Sequence, residues 1–252
     1  MSSSRYLQKS PAAELMAVML LLPLAAIVAA ILSEYSGLDL FLARLFFNEA
    51  AQNWPLKSNV ITAFILHKLP QKMLALFAVL LLLHAAVSCF YAKWRHWCRV
   101  SAYLLVSLLL CTGAVALMKH STHIQTPWSL ILFGKDMPYI RFFDQVPAGT
   151  PIGNAFPGGH SSGGFAFISL YYLAGACCPE YRFRGLFFGL FLGTLFAVTQ
   201  EVIGAHFLSH DLFSLALCCL ISGALSFLFF GAPKKDRRLS EEEESDPETH
   251  GL

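Results

Sequence analysis

Charge is scarce along this chain. Lysine, arginine, aspartate and glutamate together make up 13% of its 252 residues, against 56% hydrophobic types. A soluble domain carries about a quarter of its residues as charges, so an ordinary water-exposed globular domain is excluded. The formal net charge is only +2, and the cations form no stripe, which removes nucleic acid as a partner. Cysteine is missing where an oxidising compartment would use it. The seven cysteines, an odd number, are Cys89, Cys98, Cys111, Cys177, Cys178, Cys218 and Cys219. All fall within long apolar runs or at the ends opposite the polar clusters described below, so no disulfide framework is expected.

Long apolar runs are what the chain has in quantity. Mean hydropathy is +0.57, and six runs approach the ~20 apolar residues that cross a hydrocarbon core. They lie near Leu15 to Leu32, Met73 to Phe90, Val100 to Met118, Ser161 to Cys178, Gly185 to Ile203 and Leu212 to Phe230. The expected fold is all-α, a polytopic six-helix transmembrane bundle with the bilayer as its medium. The first run follows Arg5 and Lys9 and has the Ala-rich stretch Ala25 to Ala30. It is longer than a signal-peptide core, so an uncleaved span is expected.

Basic residues fall in alternate connections: Arg5 and Lys9, then Lys93, Arg95 and Arg99, then Arg182 and Arg184, then Lys234, Lys235, Arg237 and Arg238. The positive-inside rule assigns these connections, and both termini, to the cytoplasm. The opposite, outer face then receives three polar regions far apart in sequence: Lys119, Pro157 to His160, and His206 to Asp211. Residues 1–232 form the membrane domain. Residues 233–252, with Glu241 to Glu244, form a charged disordered cytoplasmic tail.

Between the first two runs, Leu38 to Phe47 has an amphipathic pattern around Asp39 and Arg44. It suits either an interfacial helix that guides a lipid headgroup or a helix packed over the bundle end. Trp54, Trp94, Trp97 and Trp128 are expected as interfacial anchors without a chemical role.

The chemistry concentrates in Phe156-Pro157-Gly158-Gly159-His160-Ser161-Ser162-Gly163-Gly164. Glycines let backbone N–H groups approach an anion, a helix start adds its positive dipole end, and histidine moves a proton near neutral pH. A lysine at a helix end commonly snorkels to the interface. Lys119, placed on the outer side with His120 and His123, is instead expected to bind phosphate. His206 and His210 are four residues apart and share a helix face, with Asp211 beside them. Four histidines, His120, His123, His206 and His210, would also allow a metal hydrolase.

On these residues the chain resembles the type 2 phosphatidic acid phosphatase superfamily. That family's pattern runs Lys, six residues, Arg-Pro; then Pro-Ser-Gly-His; then Ser-Arg, five residues, His, three residues, Asp. Here the first part is Lys119, six residues, Thr126-Pro127. The second is Pro157-Gly158-Gly159-His160. The third is Thr199-Gln200, five residues, His206, three residues, His210, with Asp211 one place later.

The resemblance implies a membrane lipid phosphatase in which His206 attacks phosphorus to form a phosphohistidine and His160 protonates the leaving oxygen. It implies that Lys119, Gly158 and Gly159 hold the phosphate, with Thr126 and Gln200 at the positions of the family's arginines. The residue that orients the nucleophile is Asp211 or His210. No metal or cofactor is implied, and the partner is a phosphorylated membrane lipid. The expected setting is a bacterial inner membrane with the site facing the periplasm or outside.

Both motif arginines are absent and the motif serine is Gly158. Threonine and glutamine cannot reproduce arginine's bidentate grip, so dianion binding should be weaker unless His120, His123, Lys135 or Arg141 compensates. A less cationic pocket also suits a phosphodiester, which favours a phosphotransferase or headgroup transferase on the same scaffold. A degenerate lipid-binding or transport protein is the remaining alternative.

Overall fold

The computed structural model describes residues 12–59, 62 and 68–231; the expected tail, 233–252, lies outside them. Eight α-helices follow in chain order: α1 Ala12–Ser36, α2 Leu38–Phe46, α3 Leu69–Phe90, α4 Arg95–Lys119, α5 Gly159–Phe165, α6 Ser169–Cys177, α7 Arg182–Val202 and α8 Leu208–Phe230. No strand forms among the described residues apart from two isolated bridges, Asn48 to Asn53 and Leu130 to Met137.

Among the described residues five helices are long and apolar enough to cross a membrane: those built on α1, α3, α4, α7 and α8. Each contains or nearly coincides with an expected run. Their exposed side chains are the apolar ones a bilayer would cover, among them Leu21, Leu24, Leu82, Leu117, Phe187 and Phe191.

The remaining run, Ser161 to Cys178, is not one uninterrupted α-helix. It is α5, a 3₁₀ turn at Ala166–Ile168, and α6. At ~1.5 Å rise per α-helical residue and ~2.0 Å per 3₁₀ residue, the consecutive pieces add to roughly 30 Å. The change of pitch follows from close packing on α7. Gly185, Gly189 and Gly193 recur every fourth residue of α7 and present bare backbone to this segment. A Cβ on Gly164 would meet Gly193 Cα at 2.6 Å, and one on Gly189 would meet Ile168 N at 2.5 Å. Small residues permit such approach where no hydrophobic effect drives helices together. The Tyr103 hydroxyl of α4 reaches over to donate to the Ser169 carbonyl at 3.3 Å and to Ser222 of α8 at 3.0 Å. That supplies a donor beside the change of pitch, inside an apolar layer where exposed backbone is costly.

The core lies around α8, which packs on α1, α4, α5 and α6. Its centre includes Tyr103, Cys111, Ile168, Tyr171, Cys218 and Cys219, all essentially without exposed surface. Contrary to the expectation of no disulfide, Cys89 and Cys98 are bonded, with Cα atoms 5.6 Å apart. The turn between α3 and α4 brings these helix ends together.

A second, smaller cluster caps the opposite end: Ala43, Phe47, Trp54, Leu130, Phe133 and Phe207. Trp54 is therefore a packing residue rather than an interfacial anchor. It is 7% exposed and lies against Gly204, whose φ is +75° and where any Cβ would strike the indole at 2.5 Å. Trp128 carries Lys57 over its ring at 3.6 Å.

Helix α2 packs over the bundle end. It buries Asp39 and Ala43 and leaves Leu38, Phe41 and Leu45 exposed. Asp39 does more than pack. Its carboxylate accepts from Ser33 Oγ at 2.6 Å and from the Ser209 backbone N–H in the first turn of α8 at 3.1 Å, as an N-terminal cap would. Burial pushes the Asp39 carboxyl up, and the Ser209 and Ser33 bonds oppose that rise. Asp39→Ala should lower stability by about 0.5–2 kcal/mol, the usual range for a lost cap; an unchanged thermal midpoint in detergent would contradict this.

Candidate active site

Three backbone segments meet at the capped end of the bundle. The C-terminal turn of α4 ends at Lys119, the loop 151–158 leads into α5, and the turn between α7 and α8 leads into His210 and Asp211. Hydrogen bonds between main chains join them: Gly153 N–H to Thr122 at 3.0 Å, Trp128 N–H to Gly204 at 3.0 Å and Gly158 N–H to His210 at 3.0 Å. The Thr122 hydroxyl adds a bond to the Phe156 carbonyl at 3.1 Å.

Lys119 lies over the start of α5, where a Cβ on Gly159 would be 3.1 Å from its Nζ. Its charge acts on Asp211, His206 and His210, and His160 is near enough to act on His206. The His206 and His210 ring centroids are 5.8 Å apart. Lys119, His160, His206, His210 and Asp211 thus form one cluster with Gly158 and Gly159, although 92 positions separate Lys119 from Asp211. His206, His210 and Asp211 are at most 5% exposed.

The position of the motif serine is already filled. A Cβ on Gly158 would sit 2.0 Å from Asp211 Oδ1 and 2.5 Å from Ser161 Oγ. Ser161 donates to Asp211 Oδ1 at 2.5 Å, while Oδ2 has no partner among the described residues. Ser214 donates to the Gly158 carbonyl at 2.8 Å and helps fix this turn. Asp211 therefore directs one oxygen to Ser161. The side-chain bond of Asp211 runs to Ser161 and not to a histidine, and the backbone of Ala155 acts on both histidine rings.

Burial, with Lys119, His210 and His160 beside it, holds the His206 imidazole well below the ordinary histidine range. The ring is consequently neutral near pH 7, with a lone pair available. The lowered folded value means that the unfolded chain binds the extra proton first. This contribution to stability is present above the unfolded pKa of ~6.5 and falls away below it by up to about 1.4 kcal/mol per pH unit. The thermal midpoint should drop between pH 7 and pH 5, and drop less in His206→Ala; equal pH dependence in the two proteins would contradict the assignment.

The other expected residues are placed differently. His123 Nδ1 bonds the Thr150 carbonyl at 2.9 Å, and Thr126 Oγ1 donates to Ser129 Oγ at 3.0 Å. These bonds run within the outer loop. Arg141 pairs with Asp144 at 3.0 Å in the same loop. Gln200 is 1% exposed in the last turn of α7, where its carbonyl accepts from Ala205 N–H at 2.8 Å. Glu201 acts electrostatically on Asp211. Among the described residues no group of three or more His, Cys, Asp or Glu is disposed to hold a metal ion. Reasoning on the sequence missed Ser161, Ser214 and Ala155. Ser161 stood next to His160 in a motif already under scrutiny, whereas Ala155 acts through its main chain and leaves no side-chain signal.

A cavity of ≈ 430 Å³ borders the cluster. Lys119, Gly159 and His160 line it together with the apolar groups Leu74 of α3, Ala116 of α4 and Phe196 of α7.

The family model described as the PAP2 superfamily matches residues 100–233, and the chain belongs to that superfamily, whose members are generally phosphatases acting on phosphorylated substrates. No curated protein and no solved structure matches the chain.

Proposed function

We propose that the protein is an integral membrane lipid phosphatase that hydrolyses a phosphate monoester or diphosphate through a phosphohistidine on His206. The observation that carries the reading is the cavity beside the cluster, whose lining brings Lys119 and His160 together with Leu74, Ala116 and Phe196 from bilayer-length helices. An amphiphile has this division. Its phosphate would meet Lys119 and the Gly158–Gly159 backbone, and its alkyl chain would lie along Leu74 and Phe196.

Neutral His206 attacks phosphorus. His160 gives its proton to the leaving oxygen, then takes one from the water that cleaves the intermediate. Lys119 balances the charge that builds on the phosphoryl oxygens. Thr126, Gln200 and His123 contribute little to phosphate binding, because the side-chain bonds of Thr126 and His123 lie in the loop and Gln200 carries no charge. The test is phosphate release by the purified protein from phosphatidic acid, a polyprenyl diphosphate and phosphatidylglycerol phosphate, with His206→Ala as control. Release from none of them, or undiminished release by the control, would overturn the reading.

A second reading, transfer of a phosphoryl or headgroup rather than hydrolysis, is favoured by one observation. Asp211 occupies the space of the motif serine, so the pocket combines Lys119 with a nearby carboxylate, a balance better suited to a singly charged diester than to a dianion. Products recovered with an added lipid alcohol would separate the two.

The topology completes the proposal. The α5 to α6 segment serves as a sixth span, residues 1–232 form the catalytic domain, both termini are cytoplasmic, and the cluster faces outward from a bacterial inner membrane. A cysteine introduced at Ser240, outside the described residues, should resist an impermeant thiol reagent in intact cells and react after permeabilisation. Labelling with the membrane intact would reverse the orientation.

A further inference from the structure

Helix α2 is built inside out. Its one acid, Asp39, is 1% exposed and faces the bundle with Ala43, while Leu38, Phe41 and Leu45 are 41–61% exposed. Positions 38, 41 and 45 follow the i, i+3, i+7 spacing of a single helix face. Water would favour the opposite arrangement, so the stripe marks a surface that an apolar medium covers.

Chain connectivity fixes where that surface lies. One residue, Gly37 at φ +83°, joins α2 to α1, whose apolar span runs to Ser36. Phe41 N–H bonds the Gly37 carbonyl at 3.0 Å and closes the first turn. Helix α2 therefore starts where the span ends, at a membrane boundary. The lipid-facing surface of α1 runs on into it along the chain: Leu32 and Tyr35 are exposed just before Gly37, and Leu38 just after. Arg44, the one cation of α2, is exposed as well, as a side chain that snorkels to headgroup phosphates would be.

The inner face holds the turn that carries the histidines. Asp39 Oδ1 accepts from Ser209 N–H at 3.1 Å and from Ser33 Oγ at 2.6 Å, and Ser209 Oγ donates to Oδ2. Ala43 and Phe47 share a buried cluster with Phe207. Residues 207 and 209, held by this face, flank Leu208 between His206 and His210. From Ser209 the connection passes along the main chain to His210, whose carbonyl accepts from Gly158 N–H at 3.0 Å.

We propose that α2 is immersed in the lipid interface at the capped end of the bundle, with Leu38, Phe41 and Leu45 among the lipids, and that Asp39 transmits this placement to the first turn of α8. Lipid contact keeps the helix pressed on the bundle, and the seated carboxylate keeps Ser209, and with it His206 and His210, in place. Asp39 is a positioning residue here and touches no substrate. The effect on catalysis rests on the reading of His206 as nucleophile; the immersion of α2 does not.

Two measurements on the full-length protein in phosphatidylcholine vesicles need no turnover. The indole added by Phe41→Trp, read as the difference from the unsubstituted protein, should lose emission when the lipid carries bromine high on its acyl chains and should resist iodide in the water. Quenching by iodide alone would overturn the immersion, and so would protection from both quenchers, which a covering protein or second copy would give. Hydrogen exchange then tests the coupling. Asp39→Ala should speed exchange of the Ser209 amide by about 2- to 30-fold, the range that a lost cap converts to. Phe41→Asp, or Phe41→Ser if the charged variant does not accumulate, should speed it too, although Phe41 lies on the opposite face of α2 from Asp39. Unchanged exchange in the Phe41 variants would overturn the coupling.

Turnover separates positioning from mere stability. With phosphatidic acid, a polyprenyl diphosphate or phosphatidylglycerol phosphate as substrate, Asp39→Ala should lower kcat per folded enzyme by up to about 10²-fold, as a small misplacement of catalytic groups does, and leave KM within about twofold. Asp39→Asn should keep most of kcat, because its amide oxygen still accepts from Ser209 N–H. An unchanged kcat in Asp39→Ala would overturn the positioning role. Turnover of none of the three substrates, with quenching and exchange as expected, would defeat the phosphatase reading and uphold the coupling of α2 to the α8 turn.

Discussion

His206→Ala should reduce phosphate release to the uncatalysed background, a loss on the order of 10⁶-fold where a nucleophile works as a unit with its partners. The methyl group offers no lone pair, and neighbouring His210 is fixed 5.8 Å away by centroid distance. His160→Ala should behave differently. General acid catalysis contributes about 10²–10⁴-fold, and the need for a proton declines as the leaving group becomes more acidic. The variant should therefore lose most activity on an alkyl phosphate and much less on an aryl phosphate. Release assays on the two esters check both statements. Equal losses on the two would remove His160 from the role of acid, and residual labelling of an active His206→Ala protein would move the nucleophile elsewhere.

Gly158→Ser gives the second large effect, and it separates simple resemblance from geometry. Restoring the motif serine ought to improve phosphate binding if the motif alone decided the matter. Here the new Cβ would be placed 2.0 Å from Asp211 Oδ1, so Asp211 must leave its bond with Ser161 or the turn must shift. Overpacking of this kind costs about 1–3 kcal/mol, with each kcal/mol worth about 2–4 °C of thermal midpoint for a chain of roughly this length. The single variant should be both less stable and less active. Adding Asp211→Ala and Ser161→Ala removes both obstructing oxygens and should restore stability, though not activity. A fully stable and active Gly158→Ser protein would mean that the carboxylate does not fill that space.

Much of the membrane frame was legible because it depends on length and apolarity, which are local. The runs at α1, α3, α4, α7 and α8 each satisfy both. The fourth run was legible as an apolar segment and not as a broken helix, because no proline marks the change of pitch. The cause is tertiary: Gly164 and Ile168 meet the glycine-bearing face of α7. Trp54 illustrates a similar limit, since an indole beside a membrane segment has the same sequence signature whether it anchors in headgroups or packs on Gly204. The Cys89–Cys98 bond depends on how tightly the α3–α4 turn closes, which the spacing of the two cysteines does not state.

The site was legible to the extent that side chains announce chemistry. Lys119, His160, His206, His210 and Asp211 were named from residue type, spacing and the shared outer face, and they do assemble. Thr126 and His123 were named from position within a motif or beside it, and their recorded bonds turn to the loop. Asp211 was read as a partner of the nucleophile because a carboxylate suits an imidazolium; its observed partner is Ser161, a choice made by the bare Gly158 backbone. The influence of Ala155 on both histidines comes through its backbone, and an alanine in the sequence reveals nothing of that.

The cavity between α3, α4, α5 and α7 sets the units in which this protein experiences its substrate. A molecule that reaches Lys119 with its alkyl chain still beside Leu74 and Phe196 never becomes a solute, so the quantity that governs occupancy is its mole fraction in the surrounding lipid rather than its molarity. Adding inert detergent or lipid at fixed substrate and enzyme should slow turnover by surface dilution alone, with no inhibitor present. Doubling the aqueous volume at constant lipid should change the rate per enzyme hardly at all.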